Sequence, residues 1–163
     1  MRRVLSLVLA TLTLVVLASP VAAAKPSRDP LVIPPEFLVF PAGTACAFPV
    51  HAEILLNREY IKTWTDADGN PIRDQINGSL RVRLVNDLTG AFVDLNVGGP
   101  GRDLYHGDGT MTVLFLGHAL PIFEGVFYLT RGSHSFEVNV ADFSLIEIGP
   151  AHGRIIDVCA MIA

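Results

Sequence analysis

His51 and Glu53 stand two residues apart in a run where Phe48, Val50, Ala52 and Ile54 alternate with polar neighbours. On a strand both side chains therefore share the face opposite the apolar set. An imidazole beside a carboxylate is half of a metal site or of a general acid–base pair. The spacing completes neither, because the five histidines, at 51, 106, 118, 134 and 152, lack the paired intervals of zinc ligands. An exposed polar strand face accounts for the pair equally well. Asp66-Ala67-Asp68-Gly69-Asn70 opens like a calcium loop. An EF-hand needs glycine sixth and an acid twelfth, whereas glycine here comes fourth and Asn77 stands twelfth. A hairpin turn is expected there instead.

Other chemistry is equally incomplete. There is no Gly-x-Ser-x-Gly nucleophile elbow, and Gly132-Ser133-His134-Ser135 sets hydroxyls beside an imidazole only as chain neighbours. Gly98-Gly99-Pro100-Gly101 is glycine-rich, but Pro100 has no N–H to offer a phosphate and no helix follows. Asn77-Gly78-Ser79 is a glycosylation sequon, and Asn-Gly reads more simply as a hairpin. Tyr60 and Trp64 share a strand face, while Phe115, Phe123, Phe127 and Tyr128 crowd the most apolar segments. Core packing is the expected use of these rings, with an apolar ligand cavity as the alternative. No catalytic, cofactor or metal residue is assigned. His51, Glu53, His118 and Tyr128 are the polar groups that could meet if the fold encloses a pocket.

The elements that would position these residues read as strands. Leu80, Val82 and Leu84 alternate with Arg81 and Arg83. Ala91 to Val97 and Phe136 to Val140 repeat the pattern, and Met111 to Leu116 and Ile122 to Leu129 are apolar on both faces. Turn chemistry recurs at short intervals, at Asp68 to Pro71, Asn77-Gly78, Asn86 to Gly90, Gly98 to Gly101, Gly107 to Gly109 and Arg131 to Ser133. That rhythm marks an all-β domain. A single antiparallel β-barrel of about eight strands over residues 46–163 is expected, with a two-sheet β-sandwich as the alternative. Ahead of it, residues 25–45 carry prolines at 26, 30, 34, 35 and 41 and form an extended linker. Its apolar runs, Leu31 to Ile33 and Phe37 to Phe40, should lie against the domain over a sheet edge or a barrel mouth.

Residues 1–24 have the layout of a secretory signal peptide. Arg2 and Arg3 begin it, Val4 to Ala18 carry no charge, Pro20 breaks the run, and Ala22 to Ala24 supply the small residues of a cleavage site. Cleavage leaves no membrane span, and a secreted, extracellular product is expected. In that setting Cys46 and Cys159 are expected to form one disulfide, because two thiols in an exported chain normally pair. Such a bridge also suits a barrel that joins its first strand to its last. The chain has a formal net charge of −4, and losing two arginines with the signal makes the remainder more acidic still. With no Lys/Arg cluster it offers nothing to nucleic acid or anionic lipid. At 50% hydrophobic and 17% charged it can fill a core, which argues against disorder.

Several segments together carry a resemblance: Phe40 to Val50 around Cys46, Arg58 to Thr63, Asp68 to Pro71, Leu84 to Gly90, Gly99 to Gly101, Gly107 to Thr110, and Gly153 to Ala160 around Cys159. In these the chain resembles an uncharacterised family of small secreted β-rich proteins of actinobacteria, with a cysteine near each end of the domain. The connection between Gly117 and Gly125 is shorter than in similar chains. The resemblance implies an exported β domain and no activity. The function expected is a non-enzymatic binding or surface-interaction protein whose partner is a small apolar ligand or an extracellular protein. The alternative is a β-barrel enzyme whose site is assembled from scattered polar residues.

Overall fold

The computed structural model describes residues 25–163. The expected signal peptide, residues 1–24, lies outside the described residues. Among them the chain forms short 3-10 turns and β-strands with no α-helix. The first segment contributes β1 (Asp29–Pro30) and β2 (Val39–Phe40). There follow β3 (Val50–Asn57), β4 (Tyr60–Thr65), β5 (Pro71–Asn77) and β6 (Leu80–Asn86). Next come β7 (Phe92–Asn96), β8 (Gly101–Tyr105), β9 (Thr110–Phe115), β10 (His118–Ala119) and β11 (Ile122–Phe123). Two long strands, β12 (Val126–Asn139) and β13 (Leu145–Asp157), complete the set.

The strands divide into two antiparallel sheets. The larger runs β1-β4-β5-β8-β9-β12, and β12 takes β10 and β11 beyond β9 on one edge and β13 on the other. The smaller runs β2-β3-β6-β7. All-β architecture is therefore present, but the hydrogen-bonded ladder does not close, and the two-sheet sandwich describes it better than the expected barrel. The reason lies in how the chain turns. It passes between sheets at β3–β4, β5–β6 and β7–β8, and none of these consecutive pairs is hydrogen-bonded as a ladder.

Asn77-Gly78 is the clearest case. It reads as a hairpin in sequence, yet β5 and β6 lie in different sheets, so it is a corner. Gly78 has φ +138°, and a Cβ there would sit 2.5 Å from the Glu59 Cα and run into the Arg58 carbonyl. Only glycine lets these two corners touch. Asp66 to Asn70 does make the hairpin expected of it: Asp66 Oδ1 accepts the backbone N–H groups of Asp68 and Asn70, at 3.0 and 2.8 Å, and Gly69 takes φ +89°.

Alternation fixes which faces meet. Val50, Val82, Leu84 and Leu95 of the smaller sheet are buried against Phe127, Leu129, Val158 and Ile162. A second cluster forms on the larger sheet around Met111, Phe136 and Val138. Cys46 and Cys159 are bonded, with Cα atoms 5.6 Å apart. Neither lies in a strand: Cys46 precedes β3, and Cys159 opens a 3-10 turn after β13. The bridge thus joins two loops, and its presence does not require first and last strands to pair.

Candidate intersheet cavity

Between the sheets, where the three corners stack, lies a cavity of about 380 Å³. Its wall on the smaller sheet is Ala52, Ile54, Leu80, Val82 and Leu84. The larger sheet supplies Ile76, Gly101, Asp103 and Phe115, residues that the register of β5, β8 and β9 sets side by side on one face. Leu31, Ile33, Phe37, Leu38 and Phe40 roof it. The proline-rich segment lies over the opening between the sheets, held by the β1–β4 and β2–β3 pairings. Phe40 packs edge-on against Phe127 at 4.7 Å between ring centres.

Three ionisable side chains line this apolar space: Glu59, Asp103 and His118. Glu59 sits in the β3–β4 corner under Gly78 and is 8% exposed. Its backbone is pinned, with its N–H donating to Asn57 Oδ1 at 3.0 Å and its carbonyl accepting from Leu31 N–H at 3.0 Å. Its carboxylate has no hydrogen-bond or ion-pair partner among the described residues, and burial alone raises its pKa. Asp103 on β8 stands directly opposite Asp74 on β5. Burial first, then the Asp74 carboxylate, push Asp103 up to about 6. Tyr105, two residues along the same face, donates its hydroxyl to Asp74 Oδ2 at 2.8 Å. Burial and these carboxylates raise its phenol well above the usual range. Asp74 is 6% exposed, and its Oδ1 has no partner.

The four pocket candidates from the sequence do not converge. His118 lines the cavity. His51 and Glu53 lie on the outer face of the smaller sheet, where the His51 ring meets Asp87 and Glu53 stands 3.8 Å from both His51 and Arg83. Arg83 continues the row with a two-pronged bond to Asp94, at 2.7 and 3.0 Å, which holds that carboxyl below its usual range. Tyr128 packs against Phe123 at 6.3 Å, outside the lining. Of the aromatics, Phe115 and Phe127 face the cavity. Tyr60 and Trp64 pack on neither core: Arg28 covers one ring at 3.9 Å and Arg73 the other at 3.8 Å.

Sequence reasoning missed Glu59, Asp74 and Asp103. A signal existed for Asp74, which stands between Ile72 and Ile76 at strand spacing, a carboxylate inside an apolar stripe. Glu59 carries no such mark, because its burial depends on a corner brought against it by Gly78. Among the described residues no group of three or more His, Cys, Asp or Glu is arranged to hold a metal ion, and no helix is long and apolar enough to cross a membrane. Comparison with known proteins finds no match, whether to a family model, a curated sequence or a solved structure.

Proposed function

We propose that this chain is an exported, non-enzymatic binding protein that takes a small apolar molecule into the cavity between its sheets. The observation that carries the reading is the cavity itself, about 380 Å³ of space walled by aliphatic and aromatic side chains. Small-molecule sites have this size and character, with a few polar groups set in an apolar wall. Export rests on the layout of residues 1–24 and on the resemblance to small secreted actinobacterial proteins, and the disulfide is consistent with it. Protein recovered from the culture medium should begin at Lys25 by N-terminal sequencing. A secreted form retaining Val4 to Ala18 would refute cleavage.

Gly101 provides the test of binding. It lines the cavity, and a Cβ added there meets only Ile76 Cβ and the Leu114 carbonyl at 3.7 Å, an ordinary contact. Gly101→Leu should therefore fold and fill the space. Native mass spectrometry after incubation with a cell lipid extract should find a bound molecule on the parent protein and little on the variant. Equal loading of both would place the ligand elsewhere.

A second reading has one observation in its favour: Glu59, Asp103 and His118 share one largely apolar lining. A carboxyl poised near 6 suits general acid–base work on whatever is bound. Chemical change in the recovered molecule, lost in Asp103→Asn, is the result that would favour this enzyme reading.

A further inference from the structure

β13 is an edge strand of 13 residues that pairs with β12 alone, so its far side meets no strand among the described residues. On β12 the even-numbered residues spend their backbone groups on the other neighbours: Val140 N–H donates to the Gly109 carbonyl and Gly132 N–H to the Gly117 carbonyl. Their opposites on β13, Leu145, Ile148, Ala151, Gly153 and Ile155, therefore turn N–H and C=O outward. A long free edge invites another strand, and a proline or a bulge is the usual guard. Between the His134–Ala151 and Phe136–Ile148 pairs, Gly149 and Pro150 together face Ser135 alone. The bulge thus absorbs the proline and leaves the outward donors intact. Leu145, Ile146, Ile148 and Ile155 are each between 45% and 62% exposed. Charges on this strand are set against their own kind: Glu147 stands opposite Glu137 and Arg154 opposite Arg131, an arrangement that destabilises a ladder. Neither Glu147 nor Arg154 makes an ion pair among the described residues.

We propose that the far edge of β13 is closed by β13 of a second copy of this chain, antiparallel about a two-fold axis at Ala151. With the bulge counted as one position, Glu147 and Arg154 lie equally far to either side of Ala151. The axis therefore sets Glu147 of each copy opposite Arg154 of the other, and both ion pairs form at once. The row across the joined sheets then runs Arg131, Arg154, Glu147, Glu137, so each like-charge pair gains an opposite charge beside it. On the same register Ala151 meets Ala151, Gly153 meets Ile148, and Ile155 meets Leu145 and Ile146. Ala151, Gly153, Ile148, Ile155 and Leu145 all turn their backbone outward, so the ladder has its donors and acceptors. No other centre on the strand opposes Glu147 to Arg154. This surface goes beyond the cavity reading and does not depend on it.

Sedimentation velocity of the disulfide-bonded protein, residues 25–163, should give a dimer at tens of micromolar. Glu147→Arg and Arg154→Glu each place like charges across the axis twice, and each should weaken the dimer at least about tenfold. Each also relieves a like-charge pair within its own sheet, so the monomer it leaves should keep the parent's circular dichroism, which separates lost pairing from lost fold. The two reversals together restore opposite charges and should restore the dimer. Amide hydrogen exchange at Ala151, Gly153 and Ile155 should slow as protein concentration rises. A monomer at tens of micromolar overturns the proposal and leaves the edge to a strand of another protein. A dimer that survives either single reversal, that the double reversal fails to restore, or that leaves those amides exchanging freely has its interface elsewhere and overturns it too.

Discussion

Asp103 joins the chemistry of the cavity to the stability of the fold. Burial and then the Asp74 carboxylate push its carboxyl up to about 6 in the folded protein, above the ordinary aspartate range. A raised acid binds its proton more tightly when folded, so its contribution favours folding below about pH 4 and is lost as pH climbs towards 6. Glu59 is shifted in the same direction by burial. Exposed Asp66, Asp94, Asp108 and Asp142 are shifted the opposite way by hydrogen bonds and weaken the protein as pH falls below their usual range. The informative quantity is therefore the difference between parent and variant. Asp103→Asn should match the parent near pH 4 and exceed it by about 1–3 kcal/mol at pH 7, as urea titrations at both pH values would show. A constant difference across that range would mean that the carboxyl titrates normally. At this scale the sequence was least informative. Alternation identified the apolar side chains facing inward, but the acids among them depend on register between strands, and register is invisible in a single chain.

Individual elements were easier to anticipate than their pairing. Leu80 to Leu84 and Phe136 to Val138 form strands where their alternation places them, and Asp66 to Asn70 turns as its chemistry requires. Asn77-Gly78 has equally good turn chemistry but carries the chain across to the other sheet. Local propensity states that the backbone must bend; which strand it then meets is decided by tertiary packing. Gly78 makes that packing testable. Alanine would have to hold φ near +138° while pressing into Arg58 and Glu59. Gly78→Ala should destabilise the fold by about 2 kcal/mol or more, measured by denaturant unfolding. A neutral result would show that the β3–β4 and β5–β6 corners do not touch.

For the molecule as a whole, composition and turn spacing made the all-β class legible, and the cysteine pair was anticipated. The closed barrel was not found, because a disulfide between two loops constrains distance without dictating a hydrogen-bonded ladder. The bridge spans a sequence separation of 113, and loop-closure entropy for a ring of that order is worth roughly 4–5 kcal/mol. Cys46→Ala with Cys159→Ala should lower the melting temperature by about 10 °C or more at unchanged circular dichroism. An unchanged melting temperature would remove the bridge from the account of stability. The positions of the two cysteines also set an order of events. If the chain is exported N-terminus first, as proposed, Cys46 would cross before β3 and would wait for all of β3 to β13 before Cys159 arrived. Until then its thiol is open to any oxidant or stray cysteine outside. Stalled or clipped chains lacking Cys159 would carry that reactive thiol, a chemical tag that separates unfinished molecules from finished ones.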